Sequence, residues 1–216
     1  MAGYCRCVTL SSDMRDLTHT IVTGLPVYPG DPAVSVTDAC TIGDDGAAVS
    51  HVSFGSHTGT HVDAPSHTVA GGRTLAEVSL EELVGDALIL RIDAAPRQKI
   101  TAVDLDIEGS VPRIVALATG WDRYFGTPEY LEHPFLSRDA AELLWERGMR
   151  VLAVDTFSPD ATPTSDFAVH EVVLGGDGLI VENLTGLTGL GPSARMAFYP
   201  LKLGAVDGAP VRAIAH

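Results

Sequence analysis

Apolar residues gather in short runs along this chain rather than in long amphipathic stretches. Residues 47–54, 87–92, 113–118, 151–154 and 179–181 have the length and β-branched content of buried or half-buried strands. Residues 34–42 form a weaker strand, and 195–199 and 211–215 add two more near the C-terminus. Helix signals are fewer. Ser79-x-x-Glu82 reads as a capping box for a short helix to Val84, with Gly85 as its stop. Thr101 caps a short helix over 102–107, and Asp166 caps another over 167–174 that stops at Gly175-Gly176. The clearest helix starts at Ser137 or Asp139, runs through 140–147 and ends at Gly148. Strands outnumber helices without strict βαβ alternation. This predicts an α/β fold of α+β character, a mixed β-sheet with flanking helices. Residues 1–14 are expected to be a flexible segment and 15–216 a single domain.

Composition narrows the function. The chain of 216 residues is 45% apolar and 19% charged, which suits a compact domain and not a disordered one. A net charge of −14 with only two lysines, Lys99 and Lys202, repels phosphate backbones, so nucleic acid is not an expected partner. No apolar window approaches membrane-spanning length. The N-terminal residues lack an apolar core of signal-peptide length. The three cysteines, Cys5, Cys7 and Cys40, make no disulfide framework, and a reducing cytoplasm is the expected setting. Cys5-x-Cys7 brings two thiols together, which do not complete a metal site.

The chemistry concentrates in one segment, Phe54-Gly-Ser-His-Thr-Gly-Thr-His-Val-Asp-Ala-Pro-Ser-His67. It places His57, His61, Asp63 and His67 within eleven residues of a chain that has eight histidines. Imidazoles and a carboxylate together suit zinc, manganese or related divalent ions. In a straight strand His57 and His61 would lie about 13 Å apart, too far to share an ion. Thr58, Thr60 and Pro65 disfavour a regular helix, while Gly59 frees the backbone. A tight turn with Gly59 at its bend is therefore expected.

This segment resembles the H-x-G-T-H-x-D-A-P-x-H motif of the cyclase-like metal hydrolases, a family that includes bacterial kynurenine formamidases and isatin hydrolases. Leu17-Thr-His, Pro26-Val-Tyr-Pro-Gly-Asp31 and Val154-Asp-Thr-Phe-Ser-Pro-Asp160 look like the family's opening strand, substrate-side loop, and central strand with its loop. The resemblance implies two divalent metal ions per subunit, Zn2+ or alternatively Mn2+. His57, His61 and Asp63 would hold one ion and His170 the other, with Asp63 and Glu182 shared. It implies His67 as the catalytic acid/base and Tyr28 against the substrate, where the formamidases commonly have Trp. It also implies a homodimer or homotetramer in which a neighbouring chain can reach the pocket.

Read without the family, His170 sits in a short apolar helix as a structural residue would. Glu182 ends an apolar run and needs a partner, because burying it unpaired is costly. Asn183 either orients the site or caps a loop. His67 fits proton transfer, since an imidazole titrates near neutrality, or a hydrogen bond to Asp63 or to backbone. His51 and His19 could each reach the site. Trp121 and Phe125, in the loop 120–134, either cover the pocket or pack at the surface.

Metal coordination lowers the pKa of water to about 7, giving a nucleophile for amide cleavage at neutral pH. The expected function is hydrolysis of a C–N amide bond in a small molecule, best an aryl formamide such as N-formylkynurenine. A small-molecule cyclase or lactonase, or an isatin-type cyclic amide hydrolase, is the alternative on the same site. A non-catalytic metal-binding domain is the alternative from another class. No G-x-S-x-G elbow is present for a serine hydrolase. Gly175-Gly-Asp-Gly178 is not a phosphate-binding motif.

Overall fold

In the computed structural model, which describes residues 14–164 and 166–216, most of the apolar runs close into a barrel. The strands are β1 (Arg15–Asp16), β2 (Ser35–Cys40), β3 (Val49–Ser53), β4 (His61–Asp63), β5 (Val84–Arg91), β6 (Lys99–Ile100), β7 (Ile114–Ala118), β8 (Phe135–Leu136), β9 (Val151–Val154), β10 (Leu179–Glu182), β11 (Ser193–Pro200) and β12 (Gly208–Ala215). The helices are α1 (Ile42–Asp45), α2 (Ala102–Leu105), α3 (Arg138–Arg147) and α4 (Ala168–Gly175). The main sheet runs β1-β12-β11-β5-β7-β9-β10-β4, and β4 pairs back onto β12. The pairs β5–β7, β7–β9 and β9–β10 are parallel, and those made by β4, β11 and β12 with their barrel neighbours are otherwise antiparallel. The Cys5-x-Cys7 pair and the expected flexible segment up to residue 13 lie outside the described residues.

Alternation along each strand separates two cores. Ile114, Ala116 and Ala118 of β7, Val151 and Ala153 of β9, and Leu179 and Val181 of β10 fill the barrel. Their neighbours Val115, Leu117, Leu152, Val154 and Ile180 face outward and pack with Ala140, Leu144, Val169 and Val173 of α3 and α4. Both faces of these strands are covered, which is why they read as unbroken apolar runs. The interior is rich in alanine, as a narrow barrel requires.

The longest helix follows its sequence signals. Ser137 caps α3 by accepting from Ala140 N, and Gly148 ends it at φ 119°, where its N–H donates to Leu144 O and Trp145 O. Other boundaries differ. The Ser79 capping box forms but closes only one turn, Leu80–Glu82; Val84 and Gly85 belong to β5, drawn in by pairing with β11. Asp166 does not cap α4: its N–H bonds Thr164 Oγ1, and Asp160 receives the helix's first free N–H groups instead. The run 47–54 is a strand but not the buried or half-buried one its apolar content predicts: the hairpin of β2 and β3 stands outside the barrel with almost every residue exposed, because it pairs only with itself.

Candidate metal centre

The centre lies on the outer face of the barrel, where β4 and β10 meet α4. Gly59, at φ 61°, bends the chain between His57 and His61, whose ring centroids come within 5.1 Å. Beyond the bend the chain enters β4. Val62 points into the barrel core, so His61 and Asp63 share the opposite face. The register of β10 sets Glu182 across from His61. Gly208 of β12 pairs with Asp63, and a Cβ there would sit 2.9 Å from His57 Cε1; the missing side chain is what admits the ring. Ala64, Pro65 and a single 3-10 turn, Pro65–His67, then carry His67 to the rim.

The donor atoms converge. Asp63 Oδ1 lies 2.7 Å from His57 Nδ1 and 3.3 Å from His61 Nε2. Glu182 Oε2 lies 3.3 Å from His61 Nε2, and Glu182 Oε1 is 3.6 Å from His170 Nε2. Asp63 Oδ2 lies 3.7 Å from the same His170 nitrogen. One atom each from His61, Asp63 and Glu182 falls within 4.8 Å of the others, as does one each from His57, Asp63 and His67. Asp63 belongs to both groups.

Each imidazole is oriented from behind. His61 Nδ1–H donates to Gly59 O at 2.8 Å, leaving Nε2 to face the carboxylates. His170 Nδ1–H donates to Asp160 Oδ2 at 2.6 Å, while Val169 N and His170 N donate to the same carboxylate. His57 Nε2–H donates to Asp207 Oδ2 at 2.9 Å, and His67 Nδ1 lies 3.4 Å from that oxygen. A carboxylate or carbonyl behind a histidine fixes its tautomer and raises its basicity toward a cation.

The donor set fits a metal ion on a physical criterion. His61 Nε2, Asp63 Oδ2 and Glu182 Oε1 are buried without a hydrogen-bond partner. Buried polar groups left unpaired are costly, and a cation between them would satisfy all three. Burial disfavours a charged His57, but the adjacent Asp63 outweighs it and pushes the pKa up to about 9. His61 is likewise held above its ordinary value against burial by Asp63 and Glu182. Burial would raise Asp63, yet the facing His57 and His61 hold it well below the usual carboxylate range. Asp207 is pulled down to about 2, burial notwithstanding, by its bond and attraction to His57.

A cavity of about 260 Å³ opens onto these groups, lined by Tyr28, Phe157, Phe167, Ser158, Asp31 and Asn183 as well as by the histidines and Glu182. His57, His61, His67, His170, Glu182 and Tyr28 therefore meet at one cavity, and Asp63 lies beneath it. His51 does not join them, being exposed on β3. His19 stacks on Phe125 at 3.5 Å instead of lining the cavity. Trp121 is buried with Tyr130 and Phe157, behind the cavity wall. Asp160 and Asp207 were missed as site residues. Asp160 carried a signal, because it ends the recognised Val154–Asp160 segment, whereas Asp207 in a glycine-flanked loop carried none.

Comparison with known proteins decides the family. A model of the putative cyclase family matches residues 15–161. The chain belongs to this family. The kynurenine formamidase of Maricaulis maris is 31% identical over 93% of this chain and 96% of its own length. That of Bacillus cytotoxicus is 28% identical over 94% and 97%. Among solved structures, a potential metal-dependent hydrolase with cyclase activity is similar with a TM-score of 0.77 at 27% identity, covering 94% of this chain and 96% of that one. An isatin hydrolase bound to the product analogue thioisatinate has a TM-score of 0.83 over 94% and 91% at 22% identity, which speaks for the shared fold. No helix among the described residues is long and apolar enough to cross a membrane.

Proposed function

We propose that this protein is a metal-dependent amidohydrolase that cleaves a non-peptide C–N bond in a small molecule, with an aryl formamide such as N-formylkynurenine as the best substrate. The observation that carries this reading is the set of buried, unpartnered donors of His61, Asp63 and Glu182 opening onto a cavity walled by Tyr28, Phe157 and Phe167. The likeness to kynurenine formamidases along nearly the whole chain supports the formamide. Planar aromatic walls suit an aryl ring.

His57, His61 and Asp63 would hold one divalent ion and His170 a second, with Asp63 and Glu182 shared. Zn2+ suits this mixture of imidazole and carboxylate, with Mn2+ as the alternative. When bound, such ions supply Lewis acidity toward the carbonyl and acidify water enough to attack at neutral pH. The protein's own groups do the rest. Asp160, Asp207 and Gly59 O aim the three imidazoles. His67 lies at the half-exposed rim, its ring centroid 3.9 Å from that of His57 and 5.8 Å from that of His170. There it takes the proton of the attacking water and delivers it to the departing nitrogen, with Asp207 at its back.

A homodimer or homotetramer is part of this reading. An isolated two-stranded hairpin is marginal in water, and β2–β3 leaves Val36, Val49 and Val52 exposed beside a groove lined by Tyr199 and Leu201. A reducing cytoplasm fits the few cysteines. The test is metal analysis with an aryl-formamide assay. His67→Ala should keep its metal and lose about 10²–10⁴-fold in kcat. Full metal loading with no turnover of any amide by the native protein would overturn the enzyme in favour of a binding domain.

A further inference from the structure

Asn183 is the only asparagine in 216 residues, and it occupies a position where the backbone is strained. Its φ is 58°, in the left-handed region that most residues avoid and asparagine tolerates. It follows Glu182 directly, is 3% exposed, and lines the cavity.

All but one of its polar groups are engaged. Its N–H donates to Thr156 O at 3.1 Å, and its carbonyl accepts from Thr60 Oγ1 at 2.6 Å. Its side-chain Oδ1 accepts from Tyr130 Oη at 3.0 Å. Tyr130 is itself buried, and burial drives its pKa well above the ordinary value, so its hydroxyl stays protonated and donates. Trp121, Phe125 and Phe157 pack around the Tyr130 ring and fix it. With Oδ1 taken, Asn183 Nδ2 makes no hydrogen bond among the described residues. An amide held so firmly at one end, with its donor end free in a cavity, is preorganised to serve a ligand oxygen.

We propose that Asn183 is a catalytic residue: Nδ2–H donates to the carbonyl oxygen of the scissile amide and strengthens as charge gathers there during attack. Tyr130 is its positioning residue. The proton stays on nitrogen throughout. This rests on the amidohydrolase reading above and adds a donor that is independent of the metal ligands. Backbone strain kept at such a site is consistent with the role.

The experiment uses Zn2+-loaded protein with formanilide as substrate and sodium formate as product probe. Asn183→Asp keeps the shape and still accepts from Tyr130, but offers no donor. Asn183→Gly relieves the strain and also removes the donor. Both should retain metal and lower kcat by about 10²–10³-fold, with KM shifting far less. Tyr130→Phe should give a smaller loss, about tenfold, with metal unchanged, since the amide is then free to turn. Because Gln98 is the only other side-chain amide, Asn183 contributes one of two NH₂ pairs in a nitrogen-15 spectrum of the native protein. That pair should shift on titration with formate while the Gln98 pair stays still. Near-native kcat in Asn183→Asp, or an Asn183 signal indifferent to formate, would overturn the proposal. If the native protein turned over no amide, the amidohydrolase reading would fall, and the donor role would stand or fall on the formate titration alone.

Discussion

Glu182 stands across from His61 in the antiparallel pairing of β10 with β4, its Oε2 within 3.3 Å of His61 Nε2. Strand register thus joins residues 121 positions apart, and each leaves a buried atom without a hydrogen-bond partner, which a bound cation would satisfy. Glu182→Gln keeps the shape and removes the charge. It should weaken metal affinity by at least about 10–100-fold, the range seen when even a supporting partner is lost. Metal content after dialysis against a competing chelator checks this. Native-like retention would remove Glu182 from the donor set.

The metal-free protein should carry a pH signature. His57 titrates at about 9 in the fold against 6.5 ordinarily. A raised folded pKa stabilises fully below the ordinary value and is lost as pH rises through the folded one. The chelator-treated protein should therefore lose stability between pH 6.5 and 9, by roughly 3 kcal/mol. In melting temperature that is about 6–12 °C. His57→Gln should flatten the profile, and so should metal, which replaces the proton. A metal-free melting curve indifferent to pH in this window would contradict the His57–Asp63 pairing.

Asp160 does two tasks with one carboxylate, receiving the first N–H groups of α4 and the His170 Nδ1–H. Asp160→Ala should cost about 1–3 kcal/mol in denaturant unfolding, the price of leaving buried donors unmet. It should also lower metal affinity by about 10–100-fold. An effect on stability alone would mean that His170 is oriented without Asp160.

Gly208 leaves no slack. An added Cβ would meet Val62 O at 2.7 Å and His57 Cε1 at 2.9 Å. Gly208→Ala should displace the His57 ring, with a stability loss of about 1–3 kcal/mol from overpacking. Metal binding and turnover should fall together. A crystal structure of the variant with His57 unmoved would count against this steric account.

The local part of the site was legible because its chemistry is local. His57, His61, Asp63 and His67 crowd one segment, Gly59 marked the bend, and the structure places a left-handed glycine there. The barrel strands were legible as apolar runs, except β4, which reads as a metal-site turn because only Val62 of its three residues is apolar. The end of the 79–82 turn was misplaced because pairing with β11 outweighs a capping signal. Asp166 looked like a cap by position, but Asp160 reaches α4 from farther along the loop, a contact that spacing does not reveal.

By itself the sequence determined the strand-rich class, the family resemblance and the cluster from His57 to His67, since these depend on side-chain alternation and on neighbours a few residues apart. Tertiary structure decided that the sheet closes on itself through β4 and β12, that Glu182 and His170 face the same space as His61, and that Asp207 and Asn183 border it. Those relations come from register and closure. They bring together atoms more than a hundred residues apart through backbone pairing, and no local pattern of polar and apolar residues encodes which distant strands will meet.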